Sequence, residues 1–267
     1  MRQRTITAVI LLPIGLGLIY LGGWAFAAFV VLVLGLAAWE YGRIFRNGGY
    51  TPAEALVIGG AAGLALARQV FGFTYADVLV TALVLAAMTW HVVGYEGGQS
   101  RPGTSFAITL GGIFYLGWLG AYLISLRNLA NGLYWFLLAL PAVWLADTGA
   151  YMIGRKIGRH KLAPRVSPNK SWEGYLGGIV TGSAGTALLA GLFLLLNPAV
   201  KVAHGAVIGV VISTLTTLGD LGESMINREF GVKDTSNLIP GHGGVMDRID
   251  SWIWTAAISY YLVTWLW

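Results

Sequence analysis

Cysteine is absent from the 267 residues, and charge is scarce: Asp, Glu, Lys and Arg together make up 11% of the chain. The first absence excludes disulfides, thiolate nucleophiles and thiolate metal sites, and leaves the compartment undecided. The second excludes an ordinary water-facing fold, which carries about 25% charged residues. Tandem repeats and inverted halves are missing too. What fills the chain instead is apolar sequence, 56% hydrophobic, with 38 glycines scattered through helix-length runs. The pairs Gly59 and Gly63, Gly178 and Gly182, and Gly205 and Gly209 have the small-xxx-small spacing that lets helices approach closely in lipid, and are read as packing.

A membrane span needs about 20 mostly apolar residues. About nine candidates are centred near Pro13, Val31, Gly63, Leu83, Phe114, Leu140, Ala184, Val211 and Ala257. The expected fold is an all-α integral membrane protein of about nine transmembrane helices with cytoplasmic active-site loops. It forms one polytopic domain over 1–267, with N-terminal helices in 1–130 and a motif-bearing catalytic half in 131–267. Arg2 and Arg4 precede the first apolar run, but no small-residue cleavage site stands out, so a retained helix is expected rather than a signal peptide. With the N-terminus inside, only Arg68, Arg127 and Lys201 of the 17 Lys and Arg residues fall outside. That bias sets the orientation and points to the inner or plasma membrane of a cell.

Two inside segments, Gly154 to about Trp172 and about Asn227 to Asp250, are too long and polar to be mere connectors. Asp147, Asp220 and Glu223 lie in or at the ends of apolar spans, where a carboxylate costs several kcal/mol unless it is paired. In the eighth span Ser213, Thr216, Asp220, Glu223, Ser224 and Asn227 recur at steps of three and four, so one helix face is expected to be polar. Ser213 on that face is read as packing. Beyond it, Gly241, Gly243 and Gly244 permit close backbone approach, and bare amides there can form an anion nest around His242. Asp247 and Asp250 stand one turn apart with Arg248 between them. Carboxylates from two helix ends, with no Cys and few His, suit a hard cation such as Mg²⁺. Lys170 and Ser171, where a loop enters the seventh helix, form a second anion site. Gly-rich backbone, Lys, Arg and Mg²⁺ together describe a polyphosphate site.

The stretch Ser224 to Asp250 resembles the signature of the phosphatidate cytidylyltransferases, the CDP-diacylglycerol synthases. Ser224, Ile226, Arg228, Lys233, Asp234, Ser236, Ile239, Pro240, His242, Gly243, Gly244, Val245, Asp247, Arg248, Ile249 and Asp250 fit its pattern. Asn227 departs from it, since the family usually has Lys there. Upstream, Asp147-Thr-Gly-Ala-Tyr151 and Ser167-Pro-Asn-Lys-Ser-Trp-Glu-Gly174 are similar to further family motifs, with Asn169 where Lys is frequent. The resemblance implies attack by the phosphatidate phosphate on the α-phosphorus of CTP, giving CDP-diacylglycerol and pyrophosphate. It assigns Asp220 and Asp247 to Mg²⁺, with Glu223 and Asp250 as supporting ligands, and leaves a second cation open. Lys170, Lys233, His242 and Arg248 would bind phosphate, and Asp147 would contact the nucleotide or hold a basic partner. Ser171, Arg228, Gly243 and Gly244 complete the expected substrate contacts. The expected partners are CTP, phosphatidate and the lipid bilayer, with a homodimer left open and no nucleic acid. The alternatives are a related CTP-dependent lipid enzyme, such as a CDP-archaeol synthase or a polyprenol kinase, and a cation-coupled transporter. A transporter would place its carboxylates near the bilayer midplane in two related halves, not at one face beside basic loops.

Overall fold

A computed structural model describes residues 2–239, 241 and 243–267. The protein is a multi-pass helical membrane protein. Its elements are α1 (Arg2–Leu21), α2 (Gly23–Asn47), α3 (Glu54–Phe71), α4 (Ala76–Glu96), α5 (Pro102–Gly112), a π-helical stretch (Ile113–Leu119) and α6 (Tyr122–Arg127). Then follow α7 (Gly132–Ile157), β1 (Lys161–Ala163), β2 (Ser167–Ser171), α8 (Trp172–Leu194), α9 (Val202–Leu215), α10 (Thr217–Glu229) and α11 (Met246–Leu266).

Among the described residues seven helices are long and apolar enough to cross a membrane, with Pro102–Arg127 and Val202–Glu229 each counted as one. Each of the nine expected segments falls on helix, but the count of nine is not reached on length and apolarity. The apolar part of α1 is short, Val9–Leu21. Helix α11 opens on Asp247, Arg248 and Asp250, which dilute its apolar run. Large apolar side chains such as Leu188 (70% exposed) and Leu195 (82%) project outward. Apolar surface on that scale would drive association in water, whereas in lipid it is the ordinary exterior.

The chain divides into two compact units, one of Met1–Asn128 with Glu229–Ile249, the other of Leu129–Arg228 with Asp250–Trp267. In the first, α2 and α3 pack together and α3 meets the π-helical stretch, where a Cβ on Gly117 would fall 3.0 Å from the Ala61 backbone. Arg68, in the last turn of α3, is buried with its guanidinium 3.5 Å from the Phe73 ring centroid and a hydrogen bond to Ser125. Aromatic faces and a hydroxyl replace the water that this charge gives up.

In the second unit α8 packs between α7 and α9. A Cβ on Gly178 would fall 2.7 Å from the Ala146 carbonyl, and one on Gly209 2.7 Å from the Ser183 Cα. The pairs Gly178/Gly182 and Gly205/Gly209 are therefore packing contacts, as expected. Gly59 and Gly63 are not, for each has open space where its side chain would be. Ser213 is buried and fills the room left by Gly182. The eighth span departs from expectation in one respect: helix α9 ends at Leu215 and α10 begins at Thr217. The polar stripe is thus split, with Ser213 on α9 and Asp220, Glu223, Ser224 and Asn227 on α10. Adjacent Thr216 and Thr217 favour such a break, because threonine hydroxyls compete for helix carbonyls; Thr216 donates to the Ile212 carbonyl at 2.7 Å.

Candidate functional site

In the second unit a cavity of about 550 Å³ opens between the end of α7, the β-hairpin and the start of α10. Its polar walls include Asp147, Arg155, Asn169, Lys170 and Asp220. The hairpin was not foreseen. Strands β1 and β2 pair antiparallel, Lys161 opposite Ser171 and Ala163 opposite Ser167, and this fixes where Lys170 enters the cavity. The turn beside it is clasped by Glu173, whose carboxylate accepts from the Arg159 and His160 amides and from His160 Nδ1 at 2.6 Å.

Lys170 Nζ donates to Asp220 Oδ2 at 2.8 Å, and Ser224 Oγ donates to Asp220 Oδ1 at 3.3 Å. Asp220 lies in the first turn of α10, where the helix dipole favours a negative charge. Asp147 lines the same cavity and feels the charges of both Lys170 and Asp220. The Lys170 and Asp220 side chains are 26% and 37% exposed, so their pair contributes no more than about 1 kcal/mol. A phosphate can take Lys170, and a cation Asp220, at little cost in folding free energy.

Ser171 lines the same cavity and has a structural task as well. Its hydroxyl oxygen accepts from the Gly174 amide at 3.2 Å and caps the N-terminus of α8. Arg228 is exposed at the end of α10. Glu223 and Asn227 are buried one turn apart, and Asn227 Nδ2 donates to Glu223 Oε1. The position where the signature carries Lys therefore serves here as a partner of Glu223. A lysine would meet the same carboxylate and leave neither buried charge without a partner, so Asn227→Lys is expected to change turnover by less than about tenfold. Rates of the two proteins side by side check this, and a much larger gain would show that the native chain lacks a needed cation.

The signature loop belongs to the first unit as far as Ile249. Asp247 accepts from the Thr235 amide at 3.0 Å and the Gly244 amide at 2.8 Å. The Gly244 amide is thus committed to a side chain and is not part of an open anion nest. The glycines answer to space instead. Gly243 has φ +82°, and a Cβ on Gly244 would collide with Thr235 Oγ1 and fall 2.8 Å from both oxygens of Glu40. Lys233 and Arg248 are exposed on either side of the loop. Pro240 and His242 lie outside the described residues. Asp250 belongs to the second unit, is 9% exposed, and accepts from the Ser251 amide at 2.5 Å.

Sequence reasoning missed Glu40. This carboxylate, fully buried on α2, accepts from the Val245 amide at 3.0 Å and the Met246 amide at 2.7 Å. Hydroxyls of Thr235 and Ser236 donate to it as well. The signal was available: a lone carboxylate in the run Gly23–Asn47 needs a partner as much as Asp147 does.

For a cation the donors are carboxylates only. Among the described residues no three His, Asp or Glu side chains gather closely enough to hold a metal ion by themselves. Carboxylate donors suit Mg²⁺, which usually keeps several waters and takes one or two carboxylates together with substrate phosphates.

Residues 2–266 match the model of the cytidylyltransferase family. A phosphatidate cytidylyltransferase of Pseudomonas aeruginosa is 40% identical, the match covering 98% of this chain and 95% of that protein. One from Synechocystis sp. is 34% identical over 98% of this chain and 96% of its own, and one from Mycobacterium bovis is 32% identical over 98% and 89%.

Proposed function

The chain belongs to the cytidylyltransferase family, and from that premise we propose that it transfers the cytidylyl group of CTP to phosphatidate, giving CDP-diacylglycerol and pyrophosphate. The observation that carries this reading is the cavity in which a separable Lys170–Asp220 pair stands beside Asp147. An oxygen of the phosphatidate phosphate forms a bond to the α-phosphorus of CTP as the bond to the β-phosphate bridging oxygen breaks. The nucleophile is already an anion, so positioning and charge neutralisation dominate and no strong base is needed.

Lys170 binds a substrate phosphate in this proposal, and Lys233, His242 and Arg248 are assigned phosphate contacts by their places in the signature. Asp220 and Asp247 are each assigned to Mg²⁺, with Glu223 and Asp250 supporting. When bound, Mg²⁺ neutralises triphosphate charge and stabilises the departing pyrophosphate. Asp220 already has its carboxylate held by Ser224 and oriented by the first turn of α10. The outward-facing apolar side chains keep the diacyl tails in lipid while the head reaches the polar walls.

An acceptor panel tests the proposal. Purified protein in lipid nanodiscs receives CTP and Mg²⁺ with phosphatidate, an archaeal diether phosphate or a polyprenol. CDP-diacylglycerol is expected from phosphatidate at rates far above any product from the others. Turnover confined to the polyprenol would overturn it.

A further inference from the structure

The two ends of the loop, Thr235–Ser236 and Gly244–Met246, are held together by two carboxylates, and only Asp247 lies near them in sequence. Glu40, on α2, reaches both ends at once. Its Oε1 accepts from the Val245 amide and the Ser236 hydroxyl, and its Oε2 accepts from the Met246 amide and the Thr235 hydroxyl. Four donors thus converge on a side chain with no exposed surface. Two of them, the amides of Val245 and Met246, stand at the N-terminus of α11, where the helix dipole favours a negative charge. A buried carboxylate is tolerable only with such satisfaction, and removing the charge leaves donors without an acceptor.

The rest of the loop is fitted around this clasp. Gly244 is adjacent to both Glu40 oxygens with no room for a side chain, and Gly243 bridges back to Ile239, whose amide donates to the Gly243 carbonyl at 2.9 Å. On the other side Phe230 packs edge-on against Phe45 of α2 at 5.1 Å between centroids, and a Cβ on Gly48 would strike its ring. Helix α2 therefore anchors the segment at two places, an aromatic contact before the loop and a charge that joins its two ends.

From this we infer that Glu40 is a positioning residue for the transfer reaction: it fixes the loop that presents Lys233 and Asp247, without touching substrate itself. The inference rests on the proposed cytidylyl transfer for its kinetic part, while the clasp stands on geometry alone. Glutamine keeps the shape of the side chain but turns an NH₂ toward two of the four donors. A hydroxyl can rotate to accept from it, but a backbone amide cannot.

The test uses the whole 267-residue chain, whose lack of cysteine permits single labels. A nitroxide spin label is placed at exposed Asn237 in the loop or, as a control, at exposed Ser100 between α4 and α5, with and without Glu40→Gln. In the ligand-free protein, E40Q is expected to shift the Asn237 spectrum toward fast motion and leave the Ser100 spectrum unchanged. With CTP and phosphatidate, kcat is expected to fall at least about tenfold, in keeping with a buried donor left unmatched. KM for phosphatidate should stay within about threefold, since uniform binding is untouched. Glu40→Asp, with its charge retained, should recover part of the rate. Unchanged mobility at Asn237, or unchanged kcat in E40Q, would overturn the inference. If E40Q does not fold, the pair Thr235→Val and Ser236→Ala loosens the clasp from the loop side and is read by the same spectra and rates. A parent protein inactive on CTP and phosphatidate would count against the proposed reaction and against this kinetic role, while the spectra still decide the clasp.

Discussion

Asp220→Asn is expected to lower the rate of CDP-diacylglycerol formation by at least about a hundredfold, the scale seen when one group stabilising transition-state charge is removed. The substitution keeps size and shape and removes one charge. Asparagine can still accept from Lys170 or Ser224 through its remaining oxygen, so the geometry around α10 should persist. The ion pair it abolishes is part-exposed and contributes no more than about 1 kcal/mol, so folding should survive. Initial rates at saturating CTP and Mg²⁺, with elution volume and thermal midpoint as controls for folding, separate chemistry from stability. Parental turnover in a folded D220N protein would remove Asp220 from the metal.

Asp247→Asn should cost as much, by a route that the hydrogen bonding isolates. Oδ2 of Asp247 accepts from both the Thr235 and the Gly244 amides. An asparagine whose oxygen takes that place keeps both bonds, but its NH₂ then replaces Oδ1, which also accepts from the Thr235 amide at 3.1 Å. The Gly244 contact is kept and the Thr235 contact is weakened while the negative charge disappears. A loss of about a hundredfold is expected, again by analogy with single charge-stabilising groups. Raising Mg²⁺ should recover part of it if the charge serves the cation. A D247N protein that loses activity only through loop disorder, seen as fast motion of a label at Asn237, would assign Asp247 to the loop and not to the metal.

The helices were legible because apolar runs of membrane length have few other ways to satisfy their backbone. Asp147 and Asp220 were legible because ionisable groups in such runs demand a reason, Lys170 because it stands where a loop enters a helix, and all three line one cavity. The pairing of Lys170 with Asp220 was not, since it depends on a hairpin whose strands, Lys-Leu-Ala and Ser-Pro-Asn-Lys-Ser, show no alternating pattern. The break between α9 and α10 was hidden for a related reason: a polar stripe at steps of three and four looks continuous even where one residue interrupts the helix. Glu40 stands out as a lone carboxylate in its run, but its partner Thr235 lies 195 residues away, and nothing local announces that pairing. Gly243 and Gly244 were noticed as places of close backbone approach, but their packing on Asp247 and Glu40 was not foreseen.

The central claim is that the α-phosphate of CTP is carried to a lipid phosphate, and the fate of the label tests it most directly. Protein in nanodiscs is given phosphatidate and Mg²⁺ with CTP labelled either at the α-phosphate or at the γ-phosphate, and lipid and aqueous products are separated. Cytidylyl transfer predicts that α-label enters the lipid fraction as CDP-diacylglycerol, and that γ-label leaves in equal amount as pyrophosphate. Label from the γ-phosphate in the lipid, with CDP as the aqueous product, would mean a kinase and contradict the account.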